Sequence, residues 1–560
     1  MKYRFALLFL VLTFALSTYA SADPQPDITQ PTSVDAIINR VIQTEAQFNQ
    51  RVRQYSPVVE TYIQNLRPDK DLGTAPRSDR YFLGRLDLNG VQRKNASMLE
   101  EPGLGSRILT ALPRQFHLTF NALGFGDMIF VDPRGLDRQN YDFELLRREF
   151  LGDLRCLVIN VIPKPKSGSG RFLGRIWVED QGFNVVRFTG VFVPRSKHDN
   201  YFLHFDSWRL NMQPNLWLPA YVYTEESDQH YGIMQTMHFK AQTRFWGYNL
   251  HNPAQEQELA AMTIEPIDPV HDQTTGGQDL SPVQSQRAWS RMAEDNVIAR
   301  LQKAGLLAPD GEVDKVLETV IRNLEITNNL TIQPEIRARV LLTTPLETFN
   351  VGNTIIVSRG LLDVLPDEAS LAAVMAHELA HITLGHTFDT KYAFGDRMIF
   401  PDQDTLHRFE FRRTASEEQQ ADERALSYLE HSPYKDKLPS VGLFLESLRV
   451  RQPQLSNLIR SHMGNPIAEK KDIRMGSLMN SAPKLEMRRV DQIASLPLGG
   501  RIRVDPWSDR IELYKREAVP LASPKEKMPF ELTPIYPYLT RYTPPGPDKV
   551  TGGDLGQNEQ

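Results

Sequence analysis

The sequence predicts an α+β chain of several domains: an antiparallel β-rich half built on a curved sheet, then a mainly helical half with a small sheet. Three observations predict it. The 560 residues exceed what one hydrophobic core usually serves. Apolar residues follow strand-like spacing from about residue 81 to 246, and helical spacing after about 289. Between them, residues 251–285 carry "HNPAQEQE" and "DQTTGGQDLSP", a polar, turn-rich linker. The 64 basic and 69 acidic residues leave a net charge of −5, without the basic excess a nucleic-acid partner requires.

The elements follow in chain order. Lys2 and Arg4 precede an apolar run over residues 5–16, and Ala20-Ser21-Ala22 follows. This is the layout of a signal peptide over residues 1–22, cut after Ala22; an uncleaved anchor is the alternative. Residues 23–80 read as a helical and linker segment. Ser33 caps a helix whose Ile37, Ile38, Val41 and Ile42 share a face, and Pro57 interrupts it. Residues 81–250 form the β-rich domain, a meander with Phe116, Leu118 and Phe120 alternating, then "CLVINVIP", "RFLGRIWVED", "NVVRFTGVFV", "YFLHFDSW" and "LPAYVYTEE". Cys156, the single cysteine, sits in an apolar run and reads as a core residue. An exported protein of this size without disulfides suits a bacterial envelope, periplasmic or secreted. After residue 22 no apolar stretch reaches the length of a membrane span.

Residues 286–495 make the second domain. Val313, Val316, Leu317, Val320, Ile321 and Leu324 lie on one helical face, and "IRARVLLTT" and "TFNVGNTIIVS" read as strands. Residues 496–560 are a Pro-rich tail, expected to be extended with a disordered end.

The chemistry gathers in "LAAVMAHELAHITL", residues 371–384, whose only ionisable residues are His377, Glu378 and His381. Pro366, Asp367 and Glu368 suit a helix start and Gly385 its end. The two histidines lie about 40° apart on one face. Buried polar groups need partners, and a zinc ion held by two imidazoles and faced by a carboxylate satisfies all three. His386 projects about 180° from His377, so it is expected to point away. A third ligand is sought in "TASEEQQADERALSYL", where Thr414 and Glu417 form a capping box. Glu418 and Asp422 then share a face: Glu418 as ligand, Asp422 as acceptor for the free N–H of a ligand histidine. A solvated acidic face is the alternative reading.

"HELAH" followed by "EQQAD" resembles the HExxH…ExxAD signature of the HtpX-, BepA- and prenyl-CAAX-protease-like zinc metallopeptidases. "NTIIVSRGLLDVLPDEASLAAVMAHELAH" resembles that family's strand, Gly-Leu-Leu and helix run. The resemblance implies a zincin-type domain with one Zn2+ per chain. His377, His381 and Glu418 would be its ligands, Glu378 the base and Asp422 the supporting carboxylate. The family carries Asn-Ala-Phe before the Gly-Leu-Leu run; here the residues are Glu347-Thr348-Phe349. After the third ligand it carries Thr-His-Pro, then Arg; "SHMGNPIAEKKDIR" offers His462, a displaced Pro466 and Arg474. His462 is then a candidate oxyanion-stabilising residue or a surface-loop histidine. "GRIWVEDQGFNVVRFTG" resembles the LolA/LolB-like lipoprotein-carrier folds, which implies an apolar hollow for an apolar or lipidated ligand.

The expected function is an exported zinc metalloendopeptidase acting on unfolded or extended polypeptides, in envelope protein quality control. Substrate is expected to add as a strand along the edge at 348–357, with Thr348, Phe349 and Asn350 at its rim. Residues 387–413 would form a lid. The alternative is a non-catalytic periplasmic carrier or chaperone with a structural metal site.

Overall fold

The computed structural model describes residues 33–69, 73–85, 96–97, 125–168, 170–192, 204–231, 235–248, 282–386, 411–469, 472–485, 502–504, 511–513 and 539–542. The expected signal peptide, the Phe116–Leu118–Phe120 alternation, most of the 251–285 linker, the lid over 387–410 and most of the Pro-rich tail lie outside these residues. No helix among the described residues is long and apolar enough to cross a membrane.

Helix α1 (Val34–Arg51) starts where Ser33 accepts the Ala36 N–H at 3.1 Å. It buries Ile37, Ile38, Val41 and Phe48. A short 3-10 turn follows, and strands begin at Val58 rather than near Tyr81. The expected helical and linker segment over 23–80 therefore carries strands from Val58 onward. Strands β1 (Val58–Asp69), β2 (Gly73–Arg85), β3 (Ala96–Ser97), β4 (Tyr141–Leu151), β5 (Leu154–Pro163), β6 (Phe172–Glu179), β7 (Val185–Phe192), β8 (Phe205–Gln213), β9 (Leu216–Tyr231) and β10 (Gln235–Trp246) form one antiparallel sheet. Its order among the described residues is β3-β2-β1-β10-β9-β8-β7-β6-β5-β4. β1 defeats pattern reading because both of its faces are buried. Val59 and Ile63 join one core, while Val58 and Tyr62 join another, with buried Glu60 and Gln64 between them.

One face of the sheet is filled from within the chain. α1 and the segment 125–136 pack against Ile159, Phe172, Phe188 and Val222. Arg209 of β8 reaches Glu45 of α1 through two 2.7 Å hydrogen bonds, with its guanidinium carbon 3.5 Å from the centre of the Phe48 ring. Both members of this pair are 1% exposed, so the charges are matched in geometry where water cannot reach. The face expected to hold an apolar or lipidated ligand is, among the described residues, packed with this chain's own side chains.

The opposite face carries two patches. Near β5–β9, Trp177, Trp208, Trp217, Tyr221 and Tyr223 cluster around Leu539. Residues 539–542 of the expected tail are docked there: the Asp153 N–H donates to the Leu539 carbonyl at 2.9 Å, and Arg541 bonds Glu179 at 2.6 Å. Near β1, β2 and β10, Val58, Tyr62, Leu83 and Trp246 enter the core of the second domain. Charged groups cross that junction. Glu60, paired with Arg244, accepts the Thr344 N–H at 2.6 Å and hydroxyl at 2.8 Å. Asp79 accepts the N–H groups of Asn457 at 2.9 Å and Leu458 at 2.7 Å.

The second domain contains α2 (Pro282–Lys303), α3 (Glu312–Thr327), β11 (Arg337–Leu341), β12 (Thr348–Val351), β13 (Thr354–Ser358), α4 (Arg359–Val364), α5 (Glu368–Thr383), α6 (Ala415–Glu430), α7 (Leu438–Arg451) and α8 (Ser456–Ile459). The short strands β14 (Ala468–Glu469) and β15 (Asp472–Ile473) follow as a pair. α3 buries the expected face except Val316, which is 40% exposed. The small sheet runs β11-β13-β12, parallel then antiparallel. Behind it, Gly360 opens α4 so close to the Thr344 carbonyl that a Cβ would lie 1.7 Å from the oxygen. That contact admits only glycine in "RGLL".

Candidate metal centre

Two capped helices build the site. Asp367 accepts the Ser370 N–H at 2.8 Å to start α5, and Thr414 with Glu417 forms the capping box of α6. Ala421 and Ala425 are fully buried, which brings α6 close to α5. The pairing places Glu418 between the two histidines one turn apart on α5. His377 Nε2 lies 3.1 Å from His381 Nε2 and 3.3 Å from Glu418 Oε2, and His381 Nε2 lies 3.2 Å from Glu418 Oε1. Zinc bonds of about 2.1 Å in tetrahedral geometry require ligand atoms about 3.4 Å apart. The triangle fits, and its donors, two imidazoles and a carboxylate, are those zinc prefers.

Asp422, one turn beyond Glu418, meets His377 Nδ1 at 2.9 Å, so Nε2 is left to face the ion. Burial and Arg474 oppose protonation of His377, but Asp422 and Glu418 outweigh them and hold its pKa above the ordinary value. Burial pushes the His381 pKa down. Burial also works against ionisation of Glu418, yet Arg474 and the two imidazoles hold its pKa well below the carboxylate range.

Glu378 is 2% exposed, and its Oε1 accepts from Arg474 Nη1 at 2.9 Å. Arg474 Nε lies 3.5 Å from Glu418 Oε2, and Nη2 donates to the Asn465 carbonyl at 2.8 Å. One guanidinium therefore touches both the candidate base and the candidate third ligand. Nothing in the local sequence around Arg474 assigns it this role. The available signal was charge: Glu378, Glu418 and Asp422 together need a cation. An apolar hollow lined by Val374, Val441, Phe444, Leu445, Ile467 and Met475 adjoins His377.

Three expectations change. His462 faces the other domain: its ring packs against that of Tyr81 of β2 at 5.0 Å with the planes inclined at 34°, and its backbone N–H donates to Glu347 Oε1 at 2.9 Å. Burial pushes its pKa down to about 4, and its buried Nε2 has no partner among the described residues. The oxyanion role assigned to it has no geometric support. Thr348, Phe349 and Asn350 lie on β12, the edge of the small sheet, whereas β13 is its central strand. That edge is covered: the three residues are 0%, 2% and 4% exposed. Phe411 stacks on Phe349 at 4.7 Å, Arg413 Nη2 donates to Asn350 Oδ1 at 3.3 Å, and Gly464 abuts the Thr348 carbonyl. His386 does not point away. α5 ends at Thr383, and Gly385 turns the chain at φ +71°, bringing His386 Nδ1 to 3.0 Å from His381 Nδ1.

Two imidazoles from one helix, a carboxylate from the next and a buried glutamate beside them define a metallopeptidase-type centre. Residues 308–400 match the model of Peptidase family M48, which supports the M48 metallopeptidase family for this domain. The match contains His377, Glu378 and His381; Glu418 and Asp422 lie beyond it. No curated protein matches the chain. Among solved structures, a LolA superfamily protein from Nitrosomonas europaea is 15% identical, covers 38% of this chain and 96% of its own, and has a TM-score of 0.22. A DUF1329 family protein from Desulfovibrio piger is 10% identical, covers 40% and 98%, and has a TM-score of 0.20.

Proposed function

We propose that the chain is an exported zinc endopeptidase that hydrolyses peptide bonds in unfolded or extended protein segments of a bacterial envelope. The observation that carries this reading is the His377–His381–Glu418 triangle with Glu378 buried beside it. The charged, apolar and small-residue succession over residues 1–22 supports export.

A zinc ion held by this triangle supplies Lewis acidity, lowering the pKa of a water toward about 7. The chain supplies the rest. Glu378 takes the proton of the attacking water and returns it to the leaving amine. Arg474, bonded to Glu378 Oε1 and to the Asn465 carbonyl, keeps that carboxylate in one orientation. The covered β12 edge means that an extended substrate must displace the 411–413 segment before it can pair there. The carrier alternative loses weight because the face it requires is filled by α1 and residues 125–136.

Glu378→Gln tests the reading. The variant should keep its zinc and lose cleavage of denatured casein. Cleavage at the wild-type rate removes Glu378 as the base.

A further inference from the structure

We propose that His386 is a positioning residue that fixes the tautomer and ring orientation of His381, through a relay ending on Gln420; this rests on the reading of His381 as a metal ligand. The geometry specifies each hydrogen. His381 turns Nε2 toward His377 Nε2 and Glu418, so its lone pair there must be free to bind a cation. Its hydrogen then sits on Nδ1, which lies 3.0 Å from His386 Nδ1. His386 accepts at Nδ1 and carries its own hydrogen on Nε2, 3.3 Å from Gln420 Oε1. The orientation of Gln420 is set in turn: its amide nitrogen donates to Ser416 Oγ at 3.3 Å, leaving the oxygen for His386. Along the relay from His381 Nδ1 through His386 and Gln420 to Ser416, every hydrogen finds an acceptor. The reverse tautomer would place a hydrogen on His381 Nε2, where the cation binds.

His386 is not a fourth ligand. It meets the His381 ring at the edge opposite Nε2, and both of its own nitrogens are engaged. Nor is it a helix-face residue. Gly385 leaves the helical path, and the His386 N–H caps the His381 carbonyl at 3.0 Å, so the turn delivers the ring back over the helix end. The two imidazoles are thus supported differently: His377 by a carboxylate, His381 by a second imidazole.

The test measures zinc affinity of the full chain by competition with a chromophoric chelator, and the visible spectrum of the cobalt(II) form. His386→Ala and His386→Phe should weaken zinc roughly 10- to 100-fold and alter the cobalt spectrum. His386→Asn, whose amide oxygen can accept from His381 Nδ1, should recover most of the loss. Thermal midpoints of the chelator-stripped proteins should coincide, since the role appears only when His381 binds metal. If Ala, Phe and Asn variants all bind zinc as the wild type does, or if the stripped His386→Ala midpoint falls as far as the zinc-loaded one, the positioning role is overturned. Wild-type protein that binds no zinc overturns the metal-centre reading itself, and a His377→Ala control that abolishes binding keeps the two failures apart.

Discussion

Replacing His462 with phenylalanine separates a structural histidine from a catalytic one. The ring is packed on Tyr81, its Nε2 has no partner among the described residues, and burial together with Arg460 and Arg412 lowers its pKa to about 4. A base with a lowered folded pKa is neutral in the native state. Between about pH 4 and 6.5 the unfolded chain binds the extra proton, so stability falls as the pH drops through that window. A difference of about 2.5 pH units at about 1.4 kcal/mol each amounts to roughly 3 kcal/mol lost across it. Phenylalanine keeps the packing against Tyr81 and cannot be protonated. Urea midpoints of His462→Phe and wild type should therefore agree near about pH 7, and the variant should be the more stable by up to about 3 kcal/mol near about pH 4. Zinc content and casein cleavage at neutral pH should be unchanged. Parallel midpoints at all pH values would refute the burial argument. Lost cleavage with zinc retained would restore the oxyanion role.

Two further outcomes follow from named contacts. Asp422→Ala removes the acceptor of His377 Nδ1 and should weaken zinc by roughly 10- to 100-fold, measured by chelator competition, with the stripped protein little changed. Asp79→Ala leaves the N–H groups of Asn457 and Leu458 without their acceptor across the junction; it should cost about 3 kcal/mol, read as a fall in thermal midpoint.

The parts of the fold that were legible in the sequence are those made by local bonds. The caps at Ser33, Asp367 and Thr414–Glu417 each lie within three residues of their partners, and the α3 and α5 faces follow helical spacing. The triangle was legible for the same reason: two residues share one turn, and the third sits on a helix whose capping box announces its start. β1 was not, because a strand buried on both faces with a paired Glu60 inside shows no alternation. His386 was misplaced by projecting a helix past Gly385, although that glycine marks the stop. Arg474 and the cover over β12 depend on segments distant in sequence, for which no local spacing exists.

The docking of Leu539 on the tryptophan-rich side of the sheet has a consequence for biogenesis. Synthesis delivers β5 to β9 long before the segment that covers them. During that interval the aromatic surface stays bare, and a chain cut short before Leu539 leaves it so. Products cut before Leu539 should be adhesive to holdase chaperones and readily degraded, whereas a chain that extends through Tyr542 covers this surface.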